Sequence, residues 1–333
     1  MKRKFGHAPD EESVFNIHDY TLDTLENFIK MIEDYKSKKL PSKRNRVHYP
    51  LKMNTLPNIL EDLKELNKMI GMHKLKKQMM DQIIFFIQGV DDNIMLHTVL
   101  EGPPGTGKTT VAHIMSKIYS KLGIFKKEKF NVVRRSDLIS EYLGGTTIKT
   151  METLEKCKKG VMLIDEAYSL GSNSKTSDDS YAKECIDTLN QYLTENVDKI
   201  ICVIAGYRKE LDECFFSLNP GLRRRFPWTF TIENFNCEEL VDIYYKEVLR
   251  KEWETDCDKK EIMKLIGPNI RFFTGNGGDI NTIIEKAMII NIRRNFGKEQ
   301  TYTLSIEDFK DALNIFLDNK KDKDVPPPYG MYN

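Results

Sequence analysis

Residues 102–109 have the types and the spacing of a phosphate-binding loop. They read GPPGTGKT and match the pattern G-x-x-x-x-G-K-[ST] in full. Glycines let the backbone wrap closely around a phosphate with its N–H groups pointing inward, and the helix expected to follow adds the positive end of its dipole. We therefore predict that Lys108 reaches the β- and γ-phosphates of ATP and that the hydroxyl of Thr109 binds Mg²⁺.

A second stretch supplies two carboxylates to the same chemistry. Residues 161–164 are four consecutive apolar residues, typical of a buried strand, and Asp165 and Glu166 follow directly. We expect Asp165 to hold Mg²⁺, usually through water. We expect Glu166 to orient and polarise the attacking water, because phosphoryl transfer needs an in-line nucleophile more than a strong base. Together with the upstream loop, these acids predict Mg²⁺-dependent hydrolysis of ATP to ADP and phosphate.

Both motifs lie where short β-favouring runs alternate with helical patterns. The runs predicted as strands cover residues 95–101, 130–135, 161–165, 200–205 and 228–232. The helical patterns among them cover residues 108–122, 147–157, 180–195 and 208–216. Such alternation predicts an α/β fold, a P-loop NTPase parallel sheet with flanking helices. From Cys237 onward strand patterns cease, and a small all-helical domain is predicted from helices at 238–252, 259–266, 279–296 and 305–317.

The two ends of the chain differ from this region. An amphipathic helix is predicted over residues 19–40, and helices over 58–69 and 72–88 follow a basic linker. That linker, residues 36–52, carries basic residues and no acidic one. We divide the chain into a helical N-terminal extension with the basic linker, a nucleotide-binding domain, a helical domain and a disordered tail, which cover residues 1–57, 58–236, 237–317 and 318–333.

The composition excludes several classes of protein. Among 333 residues, 51 are basic and 50 acidic, and this balance argues against a protein that coats nucleic acid through bulk charge. Apolar residues make up 40% and charged residues 30%, as in globular proteins. The six cysteines include no C-x-x-C pair, the histidines show no metal spacing, and no apolar run is long enough for a secretory signal or a membrane span. We therefore expect a cytoplasmic protein.

With these motifs the chain resembles an AAA+ ATPase. The finer resemblance is to the group that contains the red-type Rubisco activase CbbX and the sporulation protein SpoVK, relatives of which also occur in large DNA viruses. For a viral member, the expected location is the host cytoplasm or the virion. The stretches that carry the resemblance are GPPGTGKTT (102–110), SDLISEYLGGTTIKT (136–150), GVMLIDEAYSL (160–170), VIAGY (203–207) and NPGLRRRF (219–226). They lie within residues 60–317, where the resemblance implies a helical lid after the sheet domain.

The resemblance implies a homo-oligomeric ring, usually a hexamer, with ATP bound between subunits. It places the contact with adenine at Ile70 and Gly71. The remaining nucleotide contacts fall on the phosphate-binding loop, at Pro104, Gly105, Thr106, Gly107, Lys108, Thr109 and Thr110.

A pore loop is implied as well. Tyr142, Leu143 and Gly144 match the aromatic–hydrophobic–glycine loop that grips a polypeptide in the ring channel. An aromatic ring on a loop that contains glycine can hold polypeptides of many different sequences. Residues 169–180 are polar and form either a second pore loop or a plain surface loop.

Three further positions concern the nucleotide. Arg225 matches the arginine finger that reaches the γ-phosphate in the neighbouring subunit, with Arg223 and Arg224 as alternatives. Many members of the wider family end the fourth strand with asparagine, where this chain has AGY at 205–207. The lid helix of relatives begins Gly-Asn-Ala-Arg, and here Gly278 replaces the arginine, which puts in doubt how the nucleotide state is reported to the lid.

These motifs predict an ATP-dependent protein-remodelling ATPase that acts as a ring on a protein substrate. One alternative is a nucleic-acid-associated factor, such as a loader or packaging accessory, which the basic residues 36–52 would support. The other is a nucleotide-switched scaffold with low turnover, which the loss of arginine at Gly278 would support. In the tail, Pro326, Pro327, Pro328 and Tyr329 form either a ligand for a WW-domain protein or an inert segment.

Overall fold

The structure is a computed structural model, and it describes residues 15–38, 52–89, 95–125, 129–142, 144–171, 180–298 and 302–324. Several predictions lie outside the described residues: most of the basic linker (39–51), Leu143, most of the polar loop (172–179) and the segment with the WW-type motif (325–333). The α/β fold itself falls within the described ranges.

A five-stranded sheet of parallel strands forms the centre of the molecule. Its strands are β1 (Thr98–Glu101), β2 (Phe130–Val133), β3 (Gly160–Ile164), β4 (Ile200–Gly206) and β5 (Trp228–Thr231). Their order across the sheet is β2-β3-β4-β1-β5, and every neighbouring pair is parallel. Each residue of β1, β3 and β4 is buried, as expected for strands covered on both faces. The predicted α/β class and parallel sheet are confirmed.

Helices cover both faces of this sheet. They are α1 (Leu25–Ser37), α2 (Leu56–Asn67), α3 (His73–Ile87), α4 (Lys108–Lys121), α5 (Arg135–Leu138), α6 (Thr146–Cys157), α7 (Ser180–Glu195) and α8 (Arg208–Glu210). The side chains of α1 to α4 share one apolar core with Val161 and Leu163 of β3, whereas those of α6 and α7 share a second core with Met162 and Ile164. Side chains of alternate residues in β3 therefore serve opposite faces of the sheet.

Two predicted helices near and within this region differ from the observed ones. The helix predicted from residue 19 begins at Leu25, because the hydroxyl of Thr24 caps it by accepting from the Asn27 N–H at 3.2 Å. The helix predicted over 208–216 starts as α8 and then widens into one π-helical turn at Leu211–Phe215.

The C-terminal part is helical, with its own apolar core. Its helices are α9 (Cys237–Arg250), α10 (Lys259–Ile266), α11 (Gly277–Arg294) and α12 (Ile306–Asp324). Two short strands, β6 (Glu254–Thr255) and β7 (Thr303–Leu304), pair in parallel, so the expectation that strands cease after Cys237 was wrong in this detail.

The start of the predicted disordered tail also needs correction. Helix α12 continues past residue 318 to Asp324. The ammonium of Lys320 lies 3.2 Å from a carboxylate oxygen of Asp279 and 5.2 Å from the centre of the Phe316 ring. The ion pair with Asp279 ties the last turns of α12 to α11, which composition alone does not reveal. Residues 325–333 lie outside the described part of the chain.

Two features are absent from the described ranges. None of their helices is long and apolar enough to cross a membrane. In the same ranges, no three His, Cys, Asp or Glu side chains are grouped so that they could hold a metal ion by themselves.

A buried histidine makes the stability of the sheet depend on pH. The side chain of His97 is fully buried, and its Nδ1 accepts a hydrogen bond from the Cys202 N–H at 3.1 Å. Burial lowers the pKa of His97 to about 4. The unfolded chain, with an ordinary histidine pKa near 6.5, therefore takes up this proton first as the pH falls.

We expect His97 to remove about 2 kcal/mol from the free energy of unfolding between pH 7.5 and pH 5. In His97→Asn, the Oδ1 occupies the position of Nδ1 and can still accept from the Cys202 N–H, but nothing titrates. Urea unfolding followed by circular dichroism at both pH values should therefore show a smaller pH effect in the variant. An equal loss of stability in the two proteins would contradict this expectation.

Candidate nucleotide-binding site

The loop between β1 and α4 has the backbone geometry of a phosphate cradle. Gly105 and Gly107 have φ of +67° and +83°, values that residues with a Cβ rarely adopt, and α4 begins immediately after Gly107. The N–H of Gly102 donates to the carbonyl of Gly206 at 3.3 Å, which ties the loop to the end of β4. The Thr106 hydroxyl donates to the Pro103 carbonyl at 2.9 Å. Because the loop is fixed at both ends, its backbone is pre-shaped for a phosphate.

Lys108, the first residue of α4, lies over this loop. Its ammonium donates to the Pro103 carbonyl at 2.7 Å and lies 4.4 Å from the centre of the Tyr207 ring. Burial lowers the pKa of Lys108, and the carboxylates of Asp165 and Glu166 oppose that shift. The lysine thus lies over the loop and lines one cavity with the two acids that follow β3.

The Thr109 hydroxyl and the Asp165 carboxylate are hydrogen-bonded, although the two residues are 56 positions apart in the sequence. The hydroxyl donates to Oδ2 of Asp165 at 2.7 Å, and Oδ1 of Asp165 accepts from the N–H of Glu166 at 3.0 Å. Two adjacent oxygen ligands, with the remaining positions left to phosphate and water, suit Mg²⁺. Glu166 is exposed and has φ of +52°, a backbone conformation that turns it away from the path of the strand.

A pair of tyrosines borders the same acids. The rings of Tyr168 and Tyr207 are stacked, with centroids 5.3 Å apart and planes 23° apart. Gly206 makes room for the pair, because a Cβ there would lie 3.0 Å from Cδ1 of Tyr168. Burial raises the pKa of Tyr168, and the charge of Glu166 and hydrogen bonding to Glu166 and Tyr207 raise it further. Tyr168 therefore lies beside the acid predicted to orient water, in the lining of one cavity.

Sequence reasoning assigned no role to Tyr168. Each tyrosine follows the end of a buried strand, β3 or β4, and these strands are neighbours in the sheet. That placement was a usable signal, since the carboxyl ends of parallel strands meet at one edge of the sheet.

Two of the cavities that adjoin the loop have linings suited to a nucleotide. One, of about 210 Å³, is lined by Lys108, Thr109, the two acids of β3 and both tyrosines. The other, of about 430 Å³, is lined by the loop and by apolar side chains that include Ile70, Phe235 and Ile243. The first offers charges suited to phosphates, and the second offers an apolar surface suited to a base.

The predicted nucleotide contacts, at adenine for Ile70 and Gly71 and on the loop for Pro104 and Thr110, differ in their placement. Ile70 and Thr110 line the larger cavity. Gly71 instead packs against α9, since a Cβ on it would lie 2.4 Å from a carboxylate oxygen of Glu239. Pro104 lies on the far side of the loop, where it borders a third cavity. The structure thus brings Ile70 and Thr110, but not Gly71 and Pro104, to the cavity that suits a base.

Comparison with known proteins agrees with this geometry. Residues 98–234 match the model of the ATPase family associated with various cellular activities (AAA). Over 307 residues the chain is 34% identical to a putative cfxQ-like protein of Acanthamoeba polyphaga mimivirus, a match that covers 90% of this chain and 73% of the relative. This chain belongs to the AAA family.

Further relatives specify the group. The AAA chain is 30% identical over 244 residues to stage V sporulation protein K of Bacillus subtilis, with 69% of this chain and 74% of that protein covered. Over 193 residues it is 36% identical to the ESX-3 secretion system protein EccA3 of Mycolicibacterium smegmatis, of which the match covers 31%. The predicted resemblance to the CbbX and SpoVK type is confirmed.

Solved structures agree on the fold. The AAA domain of FIGL-1 in complex with ADP superposes with a TM-score of 0.50 at 22% identity, covering 77% of this chain and 82% of that one. A RuvB variant of Thermotoga maritima superposes with a TM-score of 0.51 at 18% identity, covering 75% and 72%.

The arginine cluster of this AAA chain lies on a short turn at Leu222–Arg225. Arg223 forms an ion pair with Asp212, and its guanidinium lies 4.2 Å from the Phe216 ring centre. The Nε of Arg225 donates to the Thr194 hydroxyl at 2.7 Å. Arg224 is exposed. Each arginine therefore has a different environment, although the three are consecutive.

The predicted pore loop lies between α5 and α6. The side chain of Tyr142 is 78% exposed, although its backbone is held: its N–H donates to the Ser140 hydroxyl at 3.1 Å, and its carbonyl accepts from the Gly145 N–H at 3.1 Å. Gly144 has φ of +74°, and a Cβ on it would meet no atom within 4 Å. Tyr142 is thus an exposed aromatic ring whose own N–H and carbonyl are both hydrogen-bonded.

Proposed function

We propose that this AAA chain is a protein-remodelling ATPase that works as an oligomeric ring, with six subunits as the expected number. In this proposal it hydrolyses ATP with Mg²⁺ and pulls a protein partner through pore loops. The observation that carries the proposal is the convergence of Lys108, Thr109, Asp165 and Glu166 on one cavity beside the phosphate-binding loop.

Each of these residues has a distinct task in the proposed hydrolysis. Lys108 neutralises charge on the β- and γ-phosphates. Thr109 and Asp165 would hold Mg²⁺, which, when bound, neutralises charge that develops on the phosphate oxygens. Glu166 orients the attacking water and lines one cavity with Tyr168. Positioning and charge neutralisation are what phosphoryl transfer requires most.

Arg225 completes the site of a neighbouring subunit in this proposal. Its Nε bond to Thr194 fixes the stem of the side chain and is the only side-chain hydrogen bond found for it within the described ranges. A guanidinium held in this way loses little conformational freedom when it reaches a γ-phosphate. Arg223 is engaged with Asp212 and Phe216, which makes it the weaker candidate.

Tyr142 would grip the partner. Its ring is largely exposed, and Ile148 and Met151 on the following helix are exposed as well. Exposed aromatic and apolar side chains suit an extended polypeptide of varied sequence. The names of the sporulation and secretion relatives are consistent with a protein as the substrate.

The alternative of a nucleic-acid factor rests on the basic residues 36–52. Most of that segment lies outside the described residues, and no observation on the rest favours this function. The alternative of a scaffold with low turnover depends on the rate at which the wild-type chain hydrolyses ATP.

We expect Lys108→Ala to weaken ATP binding by roughly 10- to 100-fold, because it removes a charge-assisted contact with phosphate. Glu166→Gln should bind ATP within a few-fold of the wild-type chain but hydrolyse it roughly 100-fold more slowly. Isothermal titration and phosphate release measure the two effects. Full hydrolysis by both variants would contradict the assignment, and negligible turnover by the wild-type oligomer would favour the scaffold.

Arg225→Ala should lower hydrolysis by about 10³-fold without loss of ATP binding, because the finger acts on a neighbour's nucleotide. Arg224→Ala is the matched control and should hydrolyse ATP normally. A mixture of Arg225→Ala and Lys108→Ala subunits should regain activity, since mixed rings contain sites that join an intact loop to an intact finger. A mixture as inactive as its components would argue against action in trans.

Tyr142→Ala should keep its basal ATPase activity within twofold but lose the stimulation by casein, a polypeptide without a stable fold. Tyr142→Phe retains the aromatic ring and should keep that stimulation. Phosphate release with and without casein distinguishes the variants. Stimulation of Tyr142→Ala equal to that of the wild-type chain would remove Tyr142 from the gripping role.

A further inference from the structure

Helix α11 of the lid begins directly on the phosphate-binding loop. The N–H of Gly277 donates to the Gly105 carbonyl at 3.1 Å, and Nδ2 of Asn276 donates to the Pro104 carbonyl at 3.1 Å. The two backbones are so close that a Cβ on Gly105 would lie 1.9 Å from the carbonyl oxygen of Gly275. Loop and lid are therefore joined through two consecutive carbonyls of the loop.

Asn276 also joins the linker between β5 and α9. Its Nδ2 donates to Oδ1 of Asn234 at 3.0 Å, and its Oδ1 accepts from the N–H of Phe235 at 2.9 Å. Only 1% of its surface is exposed. One buried amide thus connects the loop, the linker and the first residue of the lid helix.

The backbone of Asn276 has an unusual conformation. Its φ of +50° and ψ of −123° lie in a region that residues with a Cβ rarely occupy. Such a conformation persists only where surrounding contacts hold it. The side-chain hydrogen bonds of Asn276 provide these contacts, and the Gly275 N–H donates to Asp279 at 2.6 Å to close the same turn.

Gly278 has no side chain that could connect α11 with the phosphate-binding loop. Relatives of the resembled type carry an arginine at this position, and here a Cβ would meet no atom within 4 Å. Among the described residues, the contact of α11 with the loop runs through Asn276 and the Gly277 backbone instead.

The planarity of the peptide group explains how this contact can report on a nucleotide. The Pro104 carbonyl and the Gly105 N–H belong to one rigid plane, as do the Gly105 carbonyl and the Thr106 N–H. When either N–H turns towards a phosphate, the carbonyl of the same plane must turn with it. Both carbonyls are acceptors for the start of the lid helix.

We propose that Asn276 is a positioning residue that transmits the nucleotide state of the phosphate-binding loop to the linker and the lid, in place of the arginine missing at Gly278. The proposal rests on the proposed function only in taking ATP as the ligand of the loop. It requires neither hydrolysis nor a ring.

Asn276→Asp tests the proposal with little change of shape. The aspartate keeps an oxygen that can accept from Phe235, but it cannot donate to Pro104 or Asn234. We expect a non-hydrolysable ATP analogue at saturation to slow amide hydrogen exchange in residues 232–236 and 276–282 of the wild-type chain. In the variant this slowing should fall at least tenfold, while the dissociation constant of the analogue changes less than fivefold.

Asn269→Asp is the matched control, because the amide of this lid residue donates to the carbonyl of Leu265, one helical turn earlier. It should respond to the analogue as the wild-type chain does. Asn234→Ala removes one of the two linker contacts of Asn276, leaves the bond from the Phe235 N–H in place, and should weaken the response in 232–236 but not in 276–282. This second variant tests the proposal even if Asn276→Asp does not fold.

A wild-type response in Asn276→Asp would overturn the proposal, and so would a loss of analogue binding beyond 100-fold, which would make Asn276 part of the binding site itself. If the wild-type chain fails to bind the analogue, the ATP site of the proposed function is wrong. If it binds without any change in exchange, only the role of Asn276 is wrong.

Discussion

The site depends on the orientation of the peptide groups in the phosphate-binding loop. A planar peptide that turns its N–H towards a phosphate turns its carbonyl away, and that carbonyl needs a donor. At Pro104 and Gly105 the donors come from Asn276 and Gly277, at the start of the lid helix. The lid is therefore held against the loop by the same backbone geometry that would make the loop a cradle, and the absence of side chains at 105 and 277 allows the approach.

The parallel sheet supplies the other half of the site. Strands β1, β3 and β4 are neighbours in the order β3-β4-β1, so the residues after their carboxyl ends share one edge. This places the Thr109 hydroxyl 2.7 Å from Asp165 and stacks Tyr168 on Tyr207. The acids, the lysine and the tyrosines are thus close together because of the strand order. The helices on both faces keep the sheet buried.

Much of this was predictable from the sequence because it depends on local patterns. Apolar runs gave all five sheet strands within a few residues, and the loop motif located the start of α4 at Lys108. Other features depend on partners distant in sequence. The extension of α12 to Asp324 depends on Lys320 meeting Asp279, and the parallel pairing of β6 with β7 joins segments separated by α10 and α11. No local pattern encodes such contacts.

The sequence by itself determined the chemistry: a glycine-rich loop with lysine and threonine, two acids after an apolar strand, and the membership in the AAA family that these stretches imply. The tertiary structure decided which residues lie next to one another. It separated three consecutive arginines into different environments, placed Tyr168 beside Glu166, and made Asn276 the junction of loop, linker and lid. The physical reason is that residue type fixes what a side chain can donate, accept or neutralise, whereas its partner is fixed by strand order and helix packing.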